Sequence, residues 1–207
     1  MKPIDPYRKK PRQARSEETI EVVFEATARI LQTQGLNEFN TNAVAKLAGI
    51  SIGTLYQYFP NKNAILIAMA RRELDKVSQK IINSITVEYT ADATALGRVV
   101  VRALLKAFGG RQVARKVLIE ALIANGLSDE LSKPIERVVQ VIVVQQSQLG
   151  CEQYMSLTPI GLYVMSRAVI GTIRSAVMEQ STYLGTEALE EELVKLFNYC
   201  VKLDKDA

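Results

Sequence analysis

Histidine is absent from this chain of 207 residues, and that absence removes whole classes of chemistry. Ser-His-Asp and Cys-His catalysis, histidine-rich zinc sites and histidine pH switches are all excluded. Cysteine is nearly absent too: Cys151 and Cys200 stand far apart, with no CxxC pair. That leaves neither a disulfide framework nor a zinc finger, and it fits reduced thiols in a cytoplasm. No secretory apolar core opens the chain, since residues 1–16 are polar and punctuated by proline. Long apolar runs are lacking: the stretch 141–144, preceded by Val138 and Val139, is too short to span a bilayer. These gaps point to a soluble, cytoplasmic protein with no membrane partner. Nothing in the sequence marks a cofactor or a metal site.

What is present is ordinary in amount and uneven in placement. Hydrophobic residues make up 48% and charged residues 23%, enough to build a core and too apolar for general disorder. The net charge of +4 permits a polyanionic partner without requiring one. Before the first helix signal, Lys2, Arg8, Lys9, Lys10, Arg12 and Arg15 stand against Asp5 alone. This is a basic arm, expected to be flexible over residues 1–14; keeping a terminus solvated is its simpler use.

The punctuation predicts an all-α chain. Ser16, followed by Glu17 and Glu18, is the expected N-cap of a first helix whose stripe is Ile20, Phe24, Thr27, Ala28 and Leu31, closed by Gly35. A short helix over 42–48 is expected between a Thr41 cap and Gly49, and another over 52–59 between a Ser51 cap and Pro60. Asn61 can cap a long fourth helix carrying Ile65, Met69, Leu74 and Val77. Further helices are expected over 92–108, 112–125, 129–149, 159–183 and 187–203, with Ser128, Thr158 and Thr186 at N-cap positions. The β-branched run 138–145 favours a strand. No turn signal interrupts residues 135–149, however, and that length makes helix the better reading.

Residues 41–59 read TNAVAKLAGISIGTLYQYF, two short helices around a glycine-containing turn, which is the pattern of a DNA-reading helix-turn-helix. At 100° per residue, Leu55 and Phe59 define the buried side of the second helix, with Ile52 near it. Gly53 and Gln57 point nearly opposite, Thr54 lies beside them, and Tyr56 and Tyr58 straddle the edges. Small residues at Gly53 and Thr54 let the helix enter a major groove roughly 12 Å wide. Gln57 can offer an amide to a base edge, and the two phenols can reach the flanking phosphates. The alternative is that both rings pack against neighbouring helices. Lys62 falls in the first turn of the fourth helix, where a cation costs about 0.3–1 kcal/mol unless a phosphate docks there. A solvated lysine tolerating that penalty is the other reading.

The order of basic arm, helix, Gly35, Phe39-Asn40-Thr41, AVAKLAG, IS, GTLYQYF and Asn61-Lys62 resembles the DNA-binding region of the TetR family of transcriptional regulators, over residues 15–66. The resemblance implies a three-helix DNA-binding head at 15–60. It also implies a larger helical body at 61–207 that senses a small molecule and forms the homodimer through the helices near 159–183 and 187–203. It carries DNA contacts onto Thr41, Asn42, Ile52, Gly53, Thr54, Tyr56, Gln57, Tyr58 and Lys62, with Arg12 and Arg15 of the arm as further candidates. The chain departs from the family at Asn42 and Ile52, where many relatives carry Arg, Lys or Gln, and at Asn63, which replaces a frequent acidic residue. Ile52 offers only apolar contact, for example with a thymine methyl, and can equally belong to the core.

Along 159–183, Gly161, Ala168 and Ser175 recur every seven residues with Gly171 and Ala176 adjacent, while Leu162, Val169, Ile173 and Val177 supply burial. Small residues so spaced let two helix axes approach closely, between subunits or within one. The last helix adds Leu189, Leu193, Leu196, Phe197 and Cys200, and Glu190-Glu191-Glu192 is expected to be a solvated face. Phe108, Tyr89, Arg102, Met155, Tyr163 and Met165 are candidates to line an apolar pocket, or plain core; none is singled out as a ligand contact. The expected partners are double-stranded operator DNA and a small apolar or amphipathic ligand. The function expected is a repressor released from its operator by that ligand. An activator, or a DNA-binding protein without an inducer, is the alternative. An enzyme would need a Ser-Lys, carboxylate-pair or cysteine motif that the sequence does not present, and a helical scaffold binding acidic partners or membrane surfaces is the third class.

Overall fold

The computed structural model describes residues 5–8, 14–87, 93–148 and 159–203. Among these residues there is no strand. The helices are α1 (Ala14–Thr33), α2 (Thr41–Ala48), α3 (Ile52–Tyr58), α4 (Lys62–Val87), α5 (Ala93–Phe108), α6 (Gln112–Ala124), a 3₁₀ turn (Ser128–Leu131), α7 (Lys133–Gln148), α8 (Pro159–Met178) and α9 (Glu187–Leu203). The β-branched run 138–145 is helical, so length outweighed local strand preference.

Caps explain most boundaries and several differences from expectation. The described part of α1 begins at Ala14, which puts Ser16 inside the helix instead of at its cap. Asn40, not Thr41, caps α2: its side chain accepts the Ala43 N–H at 2.9 Å. Asparagine is as good a cap as threonine, and here it sits in the extended backbone that the cap position requires. The single helix expected over 129–149 is broken between the 3₁₀ turn and α7. Pro134 has no N–H to donate, and the Ser132 carbonyl instead accepts from Ile135 and Glu136 at the start of α7. α8 stops at Met178 instead of continuing to residue 183. Gln180 adopts φ +54°, and the Ser181 N–H closes onto the Ala176 carbonyl at 2.9 Å, a left-handed helix stop made without glycine. Thr158, Tyr89, Met155, Cys151, Lys2, Lys9, Lys10 and Arg12 lie outside the described residues, as do the side chains of Arg15, Leu162 and Cys200.

The chain divides into two units, one of Met1–Glu73 with Arg111–Leu131, the other of Leu74–Gly110 with Ser132–Ala207. In the first unit, α1 packs on α2 and on α6. Its core takes Val23, Phe24 and Leu31 from α1, Phe39, Val44, Leu55 and Phe59 from the helix-turn-helix, and Leu118 and Leu122 from α6. Every residue from Ala64 to Ala70 is buried, so α4 is enclosed on all sides over this stretch, just beyond its exposed first residues Lys62 and Asn63. Arg71 grips Glu130 through both carboxylate oxygens at 2.6 and 2.7 Å.

In the second unit α5 and α9 form the main pair, with α8 against both. Gly97 lets this pair close, because a Cβ there would run into the Phe197 ring. Glu190 and Glu191 are not simply solvated: Arg98 reaches Glu191 at 2.7 Å and Arg102 reaches Glu190 at 2.8 Å. α8 is long and apolar enough, by length and composition, to cross a membrane. In this unit it turns Met165, Val169, Ile173 and Val177 inward, and it carries Arg167 and Arg174.

Candidate nucleic-acid interface

The turn between α2 and α3 is built by two local devices. Gly49 takes φ +69°, a conformation that costs glycine nothing, and its N–H closes the α2 carbonyls of Ala45 and Lys46. Ser51 then caps α3, accepting the Thr54 N–H at 3.0 Å. The Ser51 and Thr54 hydroxyls also meet at 2.8 Å, which orients the Thr54 side chain and still leaves it hydrogen-bonding capacity.

α3 buries Leu55 completely, and Phe59 just beyond it is equally enclosed. The opposite side is open. Ser51, Ile52, Gly53, Tyr56 and Gln57 are exposed, while Thr54 and Tyr58 are half-buried. Ile52 is 38% exposed, so it is surface and not core. A Cβ added at Gly53 would meet only Ser51 Oγ, at 3.7 Å. Nothing among the described residues therefore demands a glycine there.

The flanks of this surface are polar. The Tyr56 phenol is 40% exposed and meets the Thr41 hydroxyl at 3.1 Å, tying α3 to the first residue of α2. Asn42 beside it is exposed. Lys62 is exposed in the first turn of α4, a turn with no acidic residue, where Asn61 accepts the Ala64 N–H at 2.9 Å. All nine residues expected to touch DNA are thus at least partly accessible. From Phe39 to Arg72 the chain carries four cations, Lys46, Lys62, Arg71 and Arg72, and no carboxylate side chain; Arg71 pairs with Glu130 and Arg72 with Glu21, which leaves Lys46 and Lys62 as the cations of the helix-turn-helix stretch. That run was legible in the sequence and marks the surface as suited to a polyanion.

Sequence reasoning missed what lies behind this surface. Part of the segment expected to be a free arm is tied down: Pro6 is buried, and the Tyr7 ring lies 5.4 Å from that of Phe59. The Arg8 N–H donates to the Tyr58 carbonyl at 2.9 Å. Phe59 also packs on Phe24 at 5.9 Å, and the Arg72 guanidinium covers Phe24 at 5.4 Å. Burial pushes the Tyr7 phenol above its ordinary value, although Arg72 and Arg71 nearby pull the other way. A lone tyrosine in a basic, proline-punctuated segment was the only available signal.

The second unit holds a separate apolar cavity of about 40 Å³, lined by Val100 and Leu104 of α5, Ile135 and Val138 of α7, Met165 and Val169 of α8, and Phe197 of α9. Of the residues considered for a pocket, Met165 lies there. Phe108 is buried but does not line it, Arg102 faces Glu190, and Tyr163 is exposed beneath the Arg167 guanidinium at 4.8 Å.

Residues 23–69 match the sequence model of the bacterial regulatory proteins, tetR family. Over 58 residues the chain is 34% identical to the HTH-type transcriptional repressor KstR of Mycolicibacterium smegmatis, covering 28% of each chain. The chain spans under a third of the length of the first curated relatives it matches. The likeness of fold is wider. A TetR-family regulator from Mesorhizobium loti superposes with a TM-score of 0.74 at 14% identity, covering 92% of this chain and 98% of that one. The regulator FadR from Bacillus subtilis, in complex with stearoyl-CoA, superposes with a TM-score of 0.59 at 18% identity, covering 89% and 96%.

Proposed function

We propose, for a chain that belongs to the TetR family of bacterial regulatory proteins, that it represses transcription by laying α3 in the major groove of an operator duplex. The observation that carries this reading is the open side of α3. Ile52, Gly53 and Gln57 are exposed in a carboxylate-free stretch, and nothing among the described residues accounts for the glycine. Gly53 lets the helix sink, Thr54 and Gln57 face base edges, and Ile52 and Asn42 add a methyl contact and an amide. Tyr56, Tyr58, Thr41 and Lys62 hold phosphates on the flanks, Lys62 together with the α4 N-terminus. The head of this reading is residues 15–60 and the body 61–207.

One such helix reads only a few base pairs, so operator binding calls for a homodimer with two heads about 34 Å apart, or a multiple of that. α8 and α9 are the proposed interface. Ser175 is exposed, a Cβ at Gly171 would meet nothing within 4 Å among the described residues, and Ile160, Tyr163 and Val164 are 76%, 59% and 55% exposed. A surface of that kind suits a partner helix better than water.

The proposed signal is an apolar or amphipathic molecule, of which a fatty acyl chain is the leading kind. Support comes from the apolar lining of the second unit's cavity and from the acyl-CoA held by FadR. Such a ligand weakens DNA binding only by favouring an arrangement that cannot engage the operator, with a coupling of about 1–3 kcal/mol. The cavity's volume of about 40 Å³ is far below the roughly 300–1,000 Å³ of ordinary ligand pockets. That favours a second reading, a regulator that senses no small molecule. Selecting duplexes from a random pool tests DNA recognition, and adding long-chain acyl-CoA to the bound complex separates the two readings. Release supports the inducer; unchanged binding with no thermal stabilisation supports the second.

A further inference from the structure

α3 ends in a way that leaves its carbonyls poorly served. Phe59 donates its N–H to Leu55 at 3.0 Å. The next residue, Pro60, has no N–H to give, so the carbonyls of the last turn must find donors outside the helix. Tyr58 finds one in Arg8, fifty residues away in sequence, at 2.9 Å. That bond does not stand alone. Asp5 turns the chain by accepting the Tyr7 N–H at 3.1 Å, Pro6 is buried, and the Tyr7 ring packs at a tilt against Phe59, whose other neighbours include Phe24.

We propose that residues 5–8 form a clip that sets the position of the DNA-reading helix, with Tyr7 and the Arg8 N–H as positioning groups that touch the helix end and not the DNA. This rests on the reading of α3 as the DNA-binding helix. Its physical basis is leverage. α3 has seven residues, too few to hold its own direction; in its last turn the exposed Tyr56–Thr41 contact ties it to α2, and Ser51 fixes its N-terminal end. The clip fixes the other end. Loss of such support lets a site drift by about 1 Å, enough to degrade base readout while non-specific attraction to phosphates remains. The clip therefore contributes to specificity more than to affinity.

The test uses the full-length protein, a duplex that the wild type selects from a random pool, and a random duplex of equal length. Arg8→Ala and Arg8→Pro both lack the guanidinium, but only the proline variant lacks the N–H. The clip predicts that Arg8→Pro binds the selected duplex about tenfold more weakly than Arg8→Ala, with the two alike on the random duplex. Tyr7→Ala loses preference for the selected duplex by a similar factor, and Tyr7→Phe, which keeps the ring, restores it. Equal binding of the selected duplex by the two Arg8 variants overturns the clip. Should Tyr7→Ala fail to fold, the Arg8 pair still decides, because that side chain is exposed. A wild type that selects no duplex overturns the functional reading itself, which is a different failure from unchanged preference in the variants.

Discussion

The Thr41 hydroxyl and the Tyr56 phenol meet at 3.1 Å, joining the first residue of α2 to the last turn of α3. In the proposed complex this pair does two things. It stiffens the angle between the two helices, and it presents a phenol already oriented for a phosphate oxygen. Removing the phenolic hydroxyl should therefore cost binding more than folding. Tyr56→Phe is expected to lower duplex affinity about tenfold. In thermal denaturation it should lose no more than about 1 kcal/mol, the net worth of an exposed hydrogen bond. Thr41→Val should show part of the same loss, and the double variant should be less than additive.

Gly53 gives effects of opposite sign in folding and in binding. Its added Cβ has 3.7 Å of clearance to Ser51 Oγ, and alanine is the better helix former by about 0.5–1 kcal/mol. Gly53→Ala should raise the melting temperature slightly while weakening binding to the selected duplex. Equal or tighter binding would show that α3 does not approach DNA through this residue.

Lys62 reports on the phosphate contact at the start of α4. In the free protein its charge opposes the helix dipole, so Lys62→Gln should leave stability unchanged or slightly raised. The slope of log K against log salt should become shallower by about 1.8, two phosphates' worth of released counterions, one from each head of the dimer. An unchanged slope would place Lys62 off the DNA.

Gly97 tests the packing of α5 against α9. A methyl group there would run into the Phe197 ring, a side chain only 3% exposed. Gly97→Ala should destabilise the protein by about 1–3 kcal/mol, the usual cost of overpacking. Chemical denaturation measures it. Gly171→Ala, where a methyl meets nothing within 4 Å among the described residues, should spare the isolated fold but weaken the proposed dimer in sedimentation analysis.

Much of the architecture was written in local chemistry. Ser51, Gly49 and Pro60 define α3 by capping, left-handed closure and a missing donor, and these act within a few residues of themselves. Leu55 and Phe59 fall on one side of a helix by geometry alone. The exceptions share a cause. Gln180 ends α8 in a conformation that is set by its surroundings and that its identity does not advertise. Asn40 and Thr41 are adjacent and equally able to cap, so only the backbone decides between them. Glu190 and Glu191 read as a solvated face because their partners, Arg98 and Arg102, come from a helix about ninety residues earlier. The Tyr7 anchor depends on the same kind of distant pairing, with Phe59 and the Tyr58 carbonyl, which no periodicity reveals.

The central claim is that the open side of α3 and its two flanks lie against a double helix. Its most direct test is a salt titration of duplex binding by the wild type and by a variant carrying Tyr56→Phe, Tyr58→Phe and Lys62→Gln together. The account predicts a steep fall of log K with log salt for the wild type, and for the variant a shallower slope with binding weakened by about a hundredfold or more. A fully folded variant that binds with the same affinity and the same slope would contradict it.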